Sequence, residues 1–343
     1  MKVLLASPNF HQARGNTVTV QRISDGLKKL GIETEIINVK EGRKPSKMPQ
    51  ADIVHGFHAY RFGQFIDKLD TKPESYLVTM TGTDLNVDLF DKMKRSDVIR
   101  TLSEAKAIHV FDKEAKQILS SEIYGIQTKI TVIPQGTVEF PETAPAFKKE
   151  QGTFLFVLPA GIRKVKNIPF AIEQLKHIYK NHKNIRLWLA GPIIEEDEGH
   201  MVKELAEKHK EWVRYLGQIP HEFMGEVYKQ ADAVLNTSHS EGQPAAILEA
   251  MQYSLPVLAF NNLGNRNIIT HRNSGLIYTN PVEFLDYAEK LVNNNEMRIK
   301  IGRAAKFYVE CNHSSECEAK TLQKIYESIL VKSCTSPSSS IDK

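Results

Sequence analysis

Short apolar runs alternate with helical periodicities along this chain, in two separate rounds. Few folds satisfy that order, because strands separated by helices make a parallel sheet whose two faces the helices cover. In the first round, residues 3–6, 33–39, 53–57, 76–80, 108–111 and 130–133 read as strands. Helical spacing occupies 18–30, with Val20, Ile23, Leu27 and Leu30 on one face and Gly31 as C-cap, and returns at 113–119. The second round predicts strands at 153–158, 185–190, 213–216, 233–236 and 257–260 and helices at 168–179, 201–209 and 223–230. Between the rounds, residues 140–152 hold Pro141, Pro145 and a charge run, which reads as a linker. At 343 residues the chain is long enough for two domains, each with its own core. We therefore predict an α/β protein with domains at 1–140 and 153–312, a helix within 313–332 and a disordered Ser/Pro-rich tail at 333–343.

Composition narrows the class of partner. The net charge of +4, from 45 basic and 41 acidic residues, is too small and too dispersed to predict nucleic-acid binding. It suits an anionic substrate in a basic cleft. Cys311, Cys317 and Cys334 lack metal-ligand spacing and are odd in number, which predicts a reducing compartment, no disulfide framework and no metal site. The N-terminal apolar run is too short for a signal peptide, and no stretch approaches the roughly 18 apolar residues of a membrane span. The reading is a soluble, cytoplasmic protein without an integral membrane segment.

The richest chemical signal runs from Ser238 to Met251. A buried strand leads through a Gly242/Pro244 turn into a helix of good formers that begins at Ala245 and Ala246. Glu241 stands at the strand end and Glu249 within the first turns of the helix. A helix start offers free N–H groups and a positive dipole end, which suit a phosphate. Two flanking carboxylates accept hydrogen bonds from the hydroxyls of a sugar and a ribose. A diphosphate joined to polyols is a nucleotide sugar. The competing reading is a strand–turn–helix with two solvated glutamates.

The flanking Ser-x-x-Glu-Gly-x-Pro and Leu-Glu-Ala-Met sequences weigh against that alternative, and here the chain resembles the retaining glycosyltransferases of GT-B fold. The resemblance implies two Rossmann-like domains facing across a cleft, with a C-terminal helix crossing back to the N-terminal domain. It also implies that Glu241 contacts the donor sugar and Glu249 the ribose.

Other stretches fit the same family. His11 to Thr17 follows the first strand, and Gly15 there lets backbone approach a ligand, while Asn16 and Thr17 can equally cap the next helix. Gly82, Thr83 and Asp84 form a turn after the strand at 76–80. A Gly-Asn-x-Val-Thr loop combined with a Gly-Thr-Asp loop is similar to that of vertebrate glycosyltransferase-1-domain-containing proteins and bacterial selenosugar synthases. The resemblance places both loops by the cleft, with Gly15, Asn16 and Thr17 beside donor phosphate and acceptor. It gives His58 a contact with the donor sugar, whereas a lone His at a strand end is ordinarily structural. Arg163 and Lys166 match the cations that hold the diphosphate, Arg as a fork and Lys as a point charge; the family places its Arg one residue after the Gly, and here it follows Gly161 by two. Lys164 reads as surface. Gly191 is expected to line the nucleotide site, and Gly264 and Asn265 to form a structural turn near it.

No Asp-x-Asp pair occurs, and the acidic run Glu195 to Glu198 reads as a solvated loop, so no metal is expected. The function predicted is retaining transfer of a hexosyl or N-acetylhexosaminyl group from a nucleotide-diphosphate sugar, UDP-linked by preference, to a small soluble acceptor. The donor is a co-substrate, and no resident cofactor is predicted. A nucleotide-sugar epimerase and a non-catalytic nucleotide-sugar sensor are the rival readings.

Overall fold

The structure, a computed structural model, describes residues 1–8, 10, 15–39, 48–137, 139–142 and 147–335, with the side chains of 332–335 excepted. The chain divides into two compact units, Met1–Gly136 with Ser314–Lys343, and Thr137–His313. The predicted linker at 140–152 falls inside the second unit's range. Phe140 and Phe147 there pack on that unit's apolar core.

The first unit is built from β1 (Lys2–Ser7), α1 (Gly15–Lys29), β2 (Glu33–Asn38), β3 (Ile53–Phe57), α2 (Ala59–Ile66), β4 (Tyr76–Thr79), α3 (Arg95–Glu104), β5 (Ala107–Val110), α4 (Lys113–Glu122) and β6 (Ile130–Val132). Its six strands are parallel in the order β2-β1-β3-β4-β5-β6. Two apolar layers cover the sheet: α2, α3 and α4 pack through Phe62, Val98 and Leu119 on one face. On the other, α1 meets the chain's last helix through Val20, Ile23, Leu322 and Tyr326.

The second unit continues with β7 (Phe154–Pro159), α5 (Ile168–Asn181), β8 (Ile185–Ala190), α6 (Glu196–Lys208), β9 (Val213–Gly217), α7 (Met224–Gln230), β10 (Ala233–Asn236), α8 (Ala245–Gln252), β11 (Val257–Phe260), α9 (Leu263–Arg266), β12 (Leu276–Tyr278), α10 (Pro281–Asn293) and α11 (Asn295–Asn312). Its parallel order is β12-β11-β10-β7-β8-β9. The last helix, α12 (Ser315–Thr335), returns to the first unit.

Both sheets are wound in two directions from an internal strand. The order reverses beside β1 and β3 in the first unit, and beside β7 and β10 in the second. At such a switch point the loops leaving neighbouring strands diverge and open a crevice at their C-terminal ends. The loops after β7 and β10 carry Arg163–Lys166 and Glu241. After β3 the chain carries His58, and after β1 the residues Gly15–Thr17, expected in a loop, form the first turn of α1.

Three expectations change. Glu196, Asp197 and Glu198 form the first turn of α6 rather than a loop, where the helix dipole favours negative charge. Helix α12 runs to Thr335, so residues 333–335 are helical, and 336–343 lie outside the described residues. Helices α2, α3 and α10 and strand β12 carry no assignment in the sequence reading. The first buries Ala59, Phe62, Gly63, Phe65 and Ile66 and turns Arg61 and Gln64 away from them, but its eight residues make only about two turns, too short a run to establish a helical period.

Candidate active site

In the second unit, residues 75 apart in sequence meet at the switch point: Lys166 Nζ lies 2.6 Å from Glu241 Oε1. Each end has a local cause. After β7 the chain makes a single 3-10 turn, Lys164–Lys166, and Asn167 closes it in the left-handed region at φ 49°. That turn is tied to the loop after β10 by two hydrogen bonds. The Thr237 hydroxyl donates to the Lys166 carbonyl at 2.7 Å, and His239 N–H donates to the Val165 carbonyl at 2.9 Å. Lys166 and Glu241 are therefore held by backbone, and both side chains are largely buried at 14% and 10% exposure.

Three asparagines hold the rest of the loop. Asn236, the last residue of β10, donates to Glu241 Oε1 at 3.0 Å and accepts from Ser238 N–H at 3.1 Å and Asn265 Nδ2 at 3.1 Å. Asn262 donates to the Ser238 carbonyl at 2.7 Å and caps α9 through Asn265 N–H. Gly264 is required by contact, since a Cβ there would strike the Gly242 carbonyl and stand 2.8 Å from Glu241 Cβ. Burial pushes the Glu241 carboxyl up, but the Lys166 ammonium and hydrogen bonds from Ser238 and Asn236 outweigh it and hold it below the usual carboxylate range. The carboxylate is a fixed anion.

Lys166 has two basic neighbours in its own turn. Arg163 stands at the start of the 3-10 turn, with a buried Nε that has no hydrogen-bond partner among the described residues. Lys164 is exposed. Pro244 precedes Ala245 and Ala246 and provides no side-chain cap for α8; the Ile247 N–H turns back to the Pro244 carbonyl at 3.1 Å, and the N–H groups of Ala245 and Ala246 are the ones a helix start offers to an acceptor. Gly191 follows β8 at φ 153°, and a Cβ there would collide with the Ala160 carbonyl, so only glycine lets the chain beyond the two strand ends close up. Glu249 is buried at 5% exposure, its Oε1 2.8 Å from His221 Nε2 and its Oε2 2.9 Å from the Tyr228 hydroxyl.

The first unit has its own cluster at its strand ends. His58 caps α2 with backbone at φ 70°, ψ 95°, accepting from Arg61 N–H, and its Nε2 lies 3.6 Å from Asp88, which Lys94 pairs at 2.8 Å. Strained backbone of this kind concentrates at functional sites. Asn16 donates to the Thr81 hydroxyl at 3.4 Å, joining the start of α1 to the loop after β4, and Thr17 donates to the Phe10 carbonyl at 3.1 Å. Residues 11–14 of the loop before Gly15 lie outside the described residues.

Gly82 adopts φ 115°, and Thr83 leads into a π-helical turn, Asp84–Asp88. The Asp84 carboxylate has 0% exposure and accepts from Thr81 N–H at 2.9 Å, Gly82 N–H at 3.0 Å and Ala59 N–H at 2.8 Å. It pins this loop to the start of α2, with the carboxylate sealed from solvent. His55, on β3, is wholly internal, between the Tyr326 hydroxyl at 2.8 Å and the Thr79 hydroxyl at 2.6 Å.

The sequence reading passed over Asn236, Asn262, His221 and Tyr228. An asparagine closing an apolar strand is a usable signal for Asn236. Tyr228 sits in helical apolar spacing and His221 behind a proline, and nothing local separates either from core or loop.

The family described as "Glycosyl transferases group 1" matches residues 139–307. A Xenopus tropicalis protein named "Glycosyltransferase 1 domain-containing protein 1" is 30% identical, with 95% of this chain aligned to 97% of the relative. Among solved structures, a sucrose-phosphate synthase from Thermosynechococcus elongatus superposes with a TM-score of 0.78 at 14% identity, covering 97% of this chain and all (100%) of that one. Anabaena HepE, solved with UDP and glucose, gives a TM-score of 0.75 at 12% identity, covering 96% and 100%.

Proposed function

The chain belongs to the glycosyl transferases group 1 family and has the α/β GT-B fold, and from that premise we propose that it transfers a hexosyl or N-acetylhexosaminyl group from a nucleotide-diphosphate sugar, UDP-linked by preference, with retention of configuration. The observation that carries this reading is the Lys166–Glu241 pair, an ammonium and a depressed carboxylate fixed 2.6 Å apart at the sheet's switch point. Lys166 has three N–H donors and gives one to Glu241, leaving two for diphosphate oxygens. Arg163 brings a guanidinium with a spare buried donor, and the uncapped start of α8 adds backbone N–H groups.

These groups stabilise the charge that grows on the diphosphate as its bond to the anomeric carbon breaks. Glu241 faces the sugar, where its negative charge offsets the positive charge developing on the ring. The acceptor oxygen bonds to the anomeric carbon on the face the diphosphate leaves, and its proton passes to a diphosphate oxygen. Glu249 binds the ribose. Arg163 and Lys166 supply the cationic charge, so turnover is expected without an added metal. The acceptor is proposed to be small and soluble, bound by the loops after β1, β3 and β4.

Incubation with isotope-labelled UDP-sugars, with and without a panel of small hydroxyl and anionic acceptors, tests the reading by mass spectrometry. Slow donor hydrolysis alone and a mass-shifted product with one acceptor are expected, unaffected by chelator. Tight UDP-sugar binding with no turnover against any acceptor would make the protein a sensor instead.

A further inference from the structure

Glu249 is held from two sides by residues of its own unit. A carboxylate only accepts, so the 2.8 Å contact places the His221 proton on Nε2, and the 2.9 Å contact makes the Tyr228 hydroxyl a donor. Burial pushes the Tyr228 phenol far up, and the charge of Glu249 adds to the rise, so this hydroxyl keeps its proton. Both donors have a stiff backing. The Phe140 ring stands edge-on to His221 at 5.0 Å and tilted against Tyr228 at 6.1 Å and Tyr253 at 6.0 Å. The chain passes this cluster at Gly225, where a Cβ would come within 2.5 Å of the Tyr253 hydroxyl and 2.6 Å of Phe140 Cβ. The carboxylate is thus held at both oxygens by donors that Phe140 backs.

Each carboxylate oxygen has about two lone-pair sites. With one on each oxygen taken, each oxygen keeps one further acceptor site. That remainder matches two neighbouring hydroxyl donors. A single hydroxyl leaves one buried acceptor site without a partner, which is the costly case.

We infer that His221 and Tyr228 are positioning residues that lock Glu249 into a two-pronged acceptor for the vicinal hydroxyls of the donor's ribose, and thereby set a preference for ribonucleoside over 2′-deoxyribonucleoside diphosphates. This rests on the donor reading given above. Neither residue touches the reacting carbon, so their effect belongs to donor affinity and not to the chemical step.

The test is calorimetric titration of the full chain with UDP and with dUDP, for the wild type and for His221→Leu, His221→Gln and Tyr228→Phe. Glutamine keeps an N–H donor within reach of Glu249, and leucine does not. The wild type should bind UDP at least about tenfold more tightly than dUDP, the scale of one charge-assisted hydrogen bond. His221→Leu and Tyr228→Phe should weaken UDP about tenfold and leave dUDP almost unchanged, bringing the ratio near one, whereas His221→Gln keeps most of the preference. Donor-saturated turnover of His221→Leu should stay within a factor of about three of the wild type.

A UDP-to-dUDP ratio equal in wild type and His221→Leu, or absent in the wild type, overturns the inference and leaves the donor reading standing. A wild type that binds no nucleoside diphosphate overturns both. Should Tyr228→Phe fail to fold, the half-exposed His221 position decides alone.

Discussion

Glu241 and Glu249 belong to one motif and sit in different electrostatic settings, so their loss should be felt in different constants. Glu241 is paired with an ammonium and placed, in the proposed mechanism, where positive charge appears only as the glycosidic bond breaks. Glu241→Ala should lower turnover about ten- to a hundredfold with little change in donor affinity, the worth of one charge-assisted hydrogen bond of roughly 1.5–3 kcal/mol. Glu249→Ala should weaken UDP binding by a comparable factor and leave donor-saturated turnover nearly intact. Steady-state kinetics with calorimetry on both variants separates the two. The pH dependence follows from Lys166. Because the Glu241 carboxyl is held below its ordinary value, the stability it contributes is present above the unfolded carboxylate range and is lost as pH falls through the folded value. In Lys166→Met the largest influence opposing burial is gone and only the Ser238 and Asn236 hydrogen bonds remain against it, so the acid limb of the rate–pH profile should move to higher pH. An acid limb at the same pH in both proteins would remove Glu241 from the titration.

At the scale of elements, helix α12 is joined to the first unit by buried polar contacts whose directions can be deduced. His109 Nε2 lies 2.9 Å from the Ile133 carbonyl, so it carries a proton and Nδ1 accepts from the Thr79 hydroxyl at 2.8 Å. Thr79 then accepts from His55 Nε2 at 2.6 Å, and His55 Nδ1 accepts from the Tyr326 hydroxyl at 2.8 Å. The chain of bonds from α12 through β3, β4 and β5 to the Ile133 carbonyl runs in these directions with both histidines neutral. Burial depresses both, His55 well below the usual histidine range with a further push from His109. A depressed histidine leaves stability undiminished above the unfolded value, about 6.5, and erodes it as pH falls below that point. Thermal unfolding should therefore lose midpoint temperature from about pH 6.5 downward, and His55→Gln with His109→Gln should flatten that slope. The same helix carries Glu318, which meets Arg22 at 2.8 Å with 1% and 3% side-chain exposure and accepts from Gly136 N–H at 3.2 Å. Arg22→Leu strands that carboxylate in the interior and should cost about 3–5 kcal/mol, measurable as a shift in the denaturant midpoint.

Over the whole molecule, each unit buries its own apolar layers on both faces of a six-stranded sheet. All the residues assigned to the donor, apart from the loops of the first unit, lie between Thr137 and His313. The fragment 137–313 should accordingly fold cooperatively by itself and bind UDP within about tenfold of the full chain's affinity, as a circular-dichroism melt and calorimetry would show. Truncation after His313 should instead unfold the first unit, which loses Leu322, Tyr326 and Ile329 from its core.

The sequence by itself determined the α/β class, the two rounds of parallel strands and the strand–turn–helix that bears Glu241 and Glu249. These follow from short-range periodicity, turn residues and helix formers, all written within a few residues of where they act. The tertiary structure decided the rest. The pairing of Lys166 with Glu241 depends on β7 and β10 being neighbours, which strand order sets and local sequence does not. The capture of Glu249 by His221 and Tyr228, and of Asp84 by the start of α2, depends on which donors lie beside each carboxylate once the layers close. A buried charge takes its character from those neighbours, and they come from distant parts of the chain.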